Sequence, residues 1–428
     1  MAQFAFEVLD DYMRLQKPSN DLHIRMILEF GSSLDLSRLR RAVRRSFDVV
    51  PILGSRLVQT RGKFLWDHTP GDYSDNDCVQ VVVGPWDQVS LSGILSTLPN
   101  QEAGPQVRIT LVRQDAGDTL LLVVNHMAFD GTGFKEYAYL LAQLYNEGNP
   151  GAVPPPSPAP SARNLESLFL HLTFSQKLNL LLQKSAPKIR QRPFFAETDE
   201  PVTAQVVLRR IPREGCQKIL DYSHQNGVTV NDLLLAAFVK AIFESGRYGV
   251  GESIAVSTMV DLRRFAPKAD LRFGNFASMM RFAVCNDGQD TPELVKEVHR
   301  KAAHLKENLG GLRDVFLLAR LRKLLSKKAF ERIITKRIGS IGISSSNLGI
   351  LDRQRLRFQG ADLDNASMMT SLKTRPGLQL TFSTFGESMT LSVCGYYSES
   401  DRQAIVALLN SIVVGLESLP GISAKPVQ

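Results

Sequence analysis

The chain has 428 residues, 43% of them hydrophobic, and a formal net charge of +8 at pH 7. That length exceeds one ordinary core and predicts two or three domains of roughly 100–200 residues. The start, MAQFAFEVLDDYMRL, is acidic where a secretory leader needs a basic start and a long apolar run, and the longest apolar helix, 233–243, contains Lys240 and falls short of the roughly 20 residues that cross a bilayer, so a soluble cytoplasmic protein is expected.

In chain order, Leu22 to Phe30 alternates as a half-buried strand, with Leu22, Ile24, Met26, Leu28 and Phe30 on one side. A helix follows, capped by Asp35 or Ser37; Leu36, Leu39, Val43 and Phe47 form its apolar stripe and Arg38, Arg40, Arg41, Arg44 and Arg45 its outer face. Strands are predicted at Ile52 to Gln59, Phe64 to His68, Val79 to Val83 and Val107 to Val112. The turn Asp115-Ala116-Gly117-Asp118 then makes a hairpin with an apolar strand that delivers His126 to its end. Neutral imidazole is the side chain best matched to taking a proton near neutral pH. Asp130 stands four residues on, Gly131 lets the backbone bend, and Phe134 to Tyr145 reads as the next helix.

Composition shifts at 150–158, PGAVPPPSP, which can be neither regular helix nor central strand. This linker, with an amphipathic helix from Asn164 to Lys184, divides an N-terminal unit, 1–149, from a C-terminal unit, 201–428, with 150–200 as the crossover. The second unit opens with a strand at Val202 to Ile211 and a helix capped by Thr229 or Asn231 whose apolar residues run through Phe238, Val239 and Ile242. Strands at Ile254 to Val260, Met279 to Val284, Ile341 to Ser345, Leu378 to Thr384 and Met389 to Gly395 supply its sheet, closed by a helix from Asp401 to Leu416.

Charge is unevenly placed. Cations from Lys301 through Arg313, Arg322, Lys323, Lys328, Arg332 and Lys336 to Arg337 face only Glu307, Asp314 and Glu331. Such a field attracts anions: coenzyme A phosphates, an acidic carrier protein or anionic lipid, so that peripheral contact with a membrane is one candidate role. No nucleic-acid motif or interleaved aromatics accompany it, and no nucleic-acid partner is expected.

Several chemistries are excluded. Neither the Walker pattern nor G-x-G-x-x-G occurs, and no G-x-S-x-G elbow marks a serine hydrolase. His299 and His304 are five apart and do not share a helix face as a zinc-binding pair would, and Cys78, Cys216, Cys285 and Cys394 lack C-x-x-C spacing. No metal and no resident cofactor are expected.

Asn125-His126-Met127-Ala128-Phe129-Asp130-Gly131 resembles the HHxxxDG motif of the acyltransferase superfamily that includes chloramphenicol acetyltransferase and the condensation domains of peptide synthetases, with Asn125 in place of the first histidine. Three further segments resemble the same superfamily in the right order. Thr229-Val230-Asn231-Asp232 is similar to a helix start found also in its wax ester and diacylglycerol acyltransferase branch, Phe273-Gly274-Asn275-Phe276 to a segment that ends in Arg281, and Ser346-Asn347-Leu348-Gly349 to the segment after a late strand. Counterparts of the "HQDYPFE" and "RDxSRNP" segments of synthetase domains and of the plant "DFGWG" loop are missing, so the chain resembles a free-standing member near the alcohol acyltransferase and wax ester synthase branches.

The resemblance implies an α/β fold of two chloramphenicol-acetyltransferase-like lobes, each a mixed sheet with helices, and an active-site tunnel between them entered by donor and acceptor from opposite faces. It implies His126 as general base, with Gly131 in the same loop, and Asp130 turned away from substrate onto an arginine, for which Arg263 is the candidate; Gly274 would support the loop. Backbone amides near Gly131 or the cluster Ser344, Ser345, Ser346 and Asn347 are candidates for the oxyanion donors. Asn125, Ser345, Ser346 and Asn347 are candidates for substrate contact. The expected reaction moves an acyl group from acyl-CoA or an acyl carrier protein to a small-molecule alcohol or amine of lipid or secondary metabolism. A condensation-type amide former and a non-catalytic carrier-docking module are the alternatives.

Overall fold

The computed structural model describes residues 3–86, 93, 95, 98–148, 163–183, 189, 192–266, 271–338 and 342–419. The proline-rich run at 150–158 lies outside the described residues, as do Lys184 and Ile341.

Apolar alternation in the first half builds a five-stranded sheet in the order Leu363–Met369, His23–Phe30, Gly117–Asn125, Val107–Gln114, Val79–Val83. Gly117–Asn125 is central and buried along its whole length, flanked by antiparallel partners on both sides. His23–Phe30 is buried on both faces, because Ile27 packs with Leu121 and Val123 on the side opposite Met26 and Leu28. The helices Leu36–Val49 and Gly131–Tyr145 cover one face, the first capped by Asp35, whose carboxylate accepts from Arg38 N at 3.0 Å.

A second, seven-stranded sheet runs Ala277–Cys285, Ser253–Asp261, Ile343–Leu351, Leu378–Phe385, Ser388–Tyr397, with Thr203–Ile211 and Lys373–Thr374 both on the last of these. Val230–Glu244, Thr291–Glu307 and Glu399–Glu417 bury this sheet's other apolar face. Thr229 caps the first of them through a capping box with Asp232. A three-stranded sheet, Gln3–Ala5, Lys63–His68 and Ser55–Thr60, pairs with neither and packs Leu57 and Trp66 into the first lobe's core.

The two lobes exchange chain. Leu363–Met369, from the C-terminal half, is an edge strand of the N-terminal sheet, paired antiparallel with His23–Phe30, and Phe273, Leu348 and Phe358 enter the N-terminal core. A boundary near residue 200 therefore follows the chain and not the sheets. Among the described residues no single helix is long and apolar enough to cross a membrane; the one pair long enough together, Arg213–Asn226 and Val230–Glu244, bends by 108°, and the second helix is buried in the core.

Three elements differ from the sequence expectation. Residues 164–184 hold two short helices, Glu166–Phe169 and Phe174–Leu182, because Thr173 starts the second one with its own capping box. Pro51 starts a 3-10 turn, Pro51–Gly54, so the strand expected from Ile52 is Ser55–Thr60. Val8–Leu15 is a helix whose acidic residues point inward: Asp10 accepts from Trp66 Nε1 at 3.0 Å and Arg163 Nη2 at 2.6 Å, and Asp11 pairs with Arg14 at 2.8 Å and Arg322 at 3.0 Å. Its apolar residues Leu9 and Met13, four apart, are buried on the same helix.

Those ion pairs also change the reading of the basic region. Arg322 is tied to Asp11, Lys323 to Glu166, Lys301 to Glu297, and Lys327 donates to Gly62 O at 3.2 Å. Reversing Arg322 and Lys323 would thus disturb helix packing. Lys328, Arg332 and Lys336, which have no ion-pair partner among the described residues, line a shallow groove with Leu15, Glu331 and Thr335.

Candidate active site

The central strand Gly117–Asn125 ends by presenting a short loop before Gly131–Tyr145, and nearly every polar group in that loop is fixed. His126 N donates to Leu22 O at 2.8 Å, Met127 N to Asn125 Oδ1 at 3.0 Å and Ala128 N to Asn125 O at 2.9 Å. From the C-terminal half, Asn275 Nδ2 donates to His126 O at 2.9 Å, and from the crossover segment Arg163 Nη2 donates to Met127 O at 2.7 Å.

Asp130 is the centre of this bracing. It is 3% exposed, and its Oδ1 caps the helix by accepting from Gly133 N at 2.8 Å. Its Oδ2 accepts from Arg263 Nη1 at 2.7 Å and from Phe276 N at 2.6 Å. Arg263 continues outward, donating to Gly274 O at 3.0 Å, Leu271 O at 2.7 Å and Asp261 Oδ1 at 3.1 Å. Gly274 and Gly133 allow the two segments to meet: a Cβ on Gly133 would stand 2.7 Å from Gly274 O, a fixed backbone atom.

The His126 ring is half-buried, and its Nδ1 lies 2.8 Å from Phe129 O. A carbonyl can only accept, so Nδ1 carries the proton and Nε2 keeps a free lone pair. Nε2 has no protein partner among the described residues. Burial, with the nearby Lys373 charge adding to it, pushes the imidazole below its ordinary value of 6.5, so the neutral form prevails at neutral pH. If neutral His126 is required, kcat/KM should be flat near pH 7 and fall on an acidic limb centred below 6.5. A limb at or above 6.5 would remove His126 as the titrating group.

Other residues singled out in the sequence stand elsewhere. Asn125, a candidate for substrate contact, is buried and spent on the protein: Nδ2 donates to Gln106 Oε1 at 2.8 Å while Oδ1 holds Met127 N. It shapes the loop from behind. Ser345 shares the helix-covered sheet face with Ile343 and with Leu380, its register partner, and its hydroxyl is unpartnered there; it does not face the other lobe. Ser344 and Ser346 take the opposite face by alternation. Asn347 is exposed, and its Oδ1 accepts from Gly349 N at 2.8 Å where the register of Ile343–Leu351 shifts. Among the described residues no hydrogen bond joins Ser344, Ser345, Ser346 or Asn347 to His126. Gly131 contacts this region instead, since a Cβ there would meet Leu348 at 2.6 Å.

Sequence reasoning missed Asn275, Arg163 and Lys373. Asn275 lies inside the glycine-aromatic segment already noted, but nothing in its spacing shows that its amide reaches back to His126. Arg163 and Lys373 carry no local signal, being brought to the loop by chain crossover.

Residues 273–408 match the WS/DGAT C-terminal domain. Two uncharacterized proteins of Mycobacterium tuberculosis strains are 28% identical over 255 residues, 58% of this chain and 58% of each relative, so the match spans less than two thirds of either. The fold is similar over nearly the whole chain to several solved structures. The trichothecene 15-O-acetyltransferase of Fusarium sporotrichioides has a TM-score of 0.68 at 13% identity, covering 97% of this chain and 95% of that one. The first condensation domain of the CDA synthetase has 0.66 at 15%, covering 97% of both, and polyketide synthase associated protein 5 of Mycobacterium tuberculosis has 0.63 at 12%, covering 96% and 97%.

Proposed function

We propose that this chain is a member of the condensation-domain and chloramphenicol-acetyltransferase-like acyltransferase superfamily, which its fold and the WS/DGAT C-terminal domain match over 273–408 support, and that it transfers an acyl group from a thioester to a hydroxyl or amine with His126 as general base. The observation that carries the reading is the His126 ring, with Nδ1 held on Phe129 O and Nε2 left free at a loop braced by both lobes. Nε2 takes the acceptor proton as the acceptor oxygen or nitrogen bonds to the thioester carbonyl carbon. The carbonyl electron pair moves to its oxygen, then returns as the C–S bond breaks, and the imidazolium gives its proton to the departing thiolate. The products are the acylated acceptor and a free thiol, and no acyl-enzyme forms.

Preorganised donors to the oxyanion commonly make the largest single contribution, and the backbone amides after Asp130 and the hydroxyls of Ser344 and Ser346 are the groups available. The donor is acyl-CoA or an acyl carrier protein. Its phosphates or acidic surface suit the unpaired Lys328, Arg332 and Lys336.

The test is thiol release by the purified protein with acyl-CoAs of different chain lengths and pooled alcohols and amines. Release above the hydrolytic background that requires an acceptor, and that disappears in His126→Ala, is the expected result. No acceptor-dependent release with CoA or carrier-protein thioesters would leave only a docking role.

A further inference from the structure

An ammonium next to the active-site loop has no counter-ion among the described residues. Lys373 is half-buried, and its backbone bridges Asn20 on one side and Gly395 on the other. Asp21 N donates to Leu372 O at 3.1 Å and Leu372 N to Asp21 Oδ1 at 2.9 Å. The next residue along, Leu22, accepts His126 N at 2.8 Å. Lys373 and His126 thus flank the same three-residue stretch, and the Lys373 charge is felt at the imidazole.

Among the described residues, Lys373 Nζ has neither a hydrogen bond nor an ion pair. The one carboxylate near it, Asp21, is already taken by the fully buried Arg25 guanidinium, which also donates to His23 O at 2.9 Å. Among the described residues no other group nearby supplies negative charge. Burial pushes the Cys394 thiol up to about 12 and raises the Tyr396 phenol, so both stay neutral, and burial lowers His23 to about 4, so that it stays neutral too. Burial also brings Lys373 down to about 8, which still leaves it mostly charged at pH 7. Asp21 cancels Arg25, and one positive charge is left over. Two residues before Lys373 in the chain, the buried Ser371 Oγ has no partner among the described residues.

A half-buried charge without a counter-ion is only partly solvated, and a ligand that supplies the opposite charge makes good the loss. We propose that Lys373 is the anion-binding residue of the acceptor site, so that the molecule acylated here carries a carboxylate beside its reacting hydroxyl or amine. A single ammonium balances a monoanion, which favours carboxylate over phosphate dianion. The proposal rests on the acyl-transfer reading for the word acceptor, and its test is a binding measurement that does not depend on turnover.

Calorimetric titration should compare ω-hydroxy carboxylic acids of increasing length with the α,ω-diols of the same lengths, on the full chain, on Lys373→Met and on His126→Ala. The wild type is expected to bind at least one acid about tenfold or more tighter than its diol, His126→Ala to keep that preference and Lys373→Met to lose it. Lys373→Met should also melt no lower than the wild type, because methionine fills the space of the stem and removes the unpaired charge. No acid of the series binding tighter than its diol, or a preference that survives Lys373→Met, overturns the proposal whether or not the protein transfers acyl groups. A fall in melting temperature would show that the ammonium has a structural partner, and would overturn it equally. A preference for succinyl-CoA over butyryl-CoA that is lost in Lys373→Met, without any preference among acceptors, would move the anion to the acyl chain and refute the acceptor assignment.

Discussion

His126→Ala is expected to lower kcat for acyl transfer by roughly 10²–10⁴-fold, the range one positioned general base supplies, while the protein stays folded. The ring adds little to the core: it is half-buried, and among the described residues its only hydrogen bond is from Nδ1 to Phe129 O. The loop's other bonds run through main-chain atoms of residues 126–130 and through the side chains of Asn125, Asp130, Arg163 and Asn275, none of which the substitution removes. The loss should therefore fall on kcat with donor and acceptor KM near their wild-type values, as for a group that acts in the transition state. His126→Gln would keep a donor to Phe129 O but place no basic lone pair where Nε2 stands, and should be nearly as inactive. More than about a tenth of wild-type kcat in the alanine variant, with chemistry rate-limiting, would remove the general base from this residue.

The elements around this histidine were legible because local pattern and burial agree there. An apolar run that ends in His126, then a turn with Asp130 and Gly131, reads as strand, loop and helix, and Gly117–Asn125 and Gly131–Tyr145 occupy those positions. Arg263 could be named as a partner only through the resemblance; its distance of 2.7 Å from Asp130 comes from a fold that brings residues 133 positions apart together. What stayed hidden depends on chain crossover. Leu363–Met369 has the apolar pattern of any strand, and nothing local says that it joins the other lobe's sheet. The two-residue strand Lys373–Thr374 follows from that crossing, which carries Lys373 to the side of Asp21 and His126. Asn125 shows the opposite limit: its place beside His126 suggests substrate contact, but as the strand-end residue it points to the other face, where its side chain bonds Gln106 and Met127 N.

Asp130→Ala should act through the fold first. The carboxylate accepts from a guanidinium, from Phe276 N and from Gly133 N, and it is 3% exposed, so its removal leaves a buried cation and two buried amides short of an acceptor. Breaking one side of such a pair commonly costs about 3–5 kcal/mol. Arg263 keeps Asp261 Oδ1 at 3.1 Å and two carbonyls, which places the expected cost toward the lower end. For lobes of this size that corresponds to a fall of about 6–12 °C in melting temperature. Activity should fall with it, because Gly274 and Asn275, which hold the His126 loop from the other lobe, are positioned by the same arginine and aspartate. Asp130→Asn keeps an oxygen for Gly133 N but loses the charge facing Arg263, and should lie between the two. Arg263→Ala combined with Asp130→Ala should cost less than the sum of the single changes, since each removes the other's unpaired charge. If Asp130→Ala instead melts like the wild type and is inactive, the carboxylate is not a brace and must contact substrate directly.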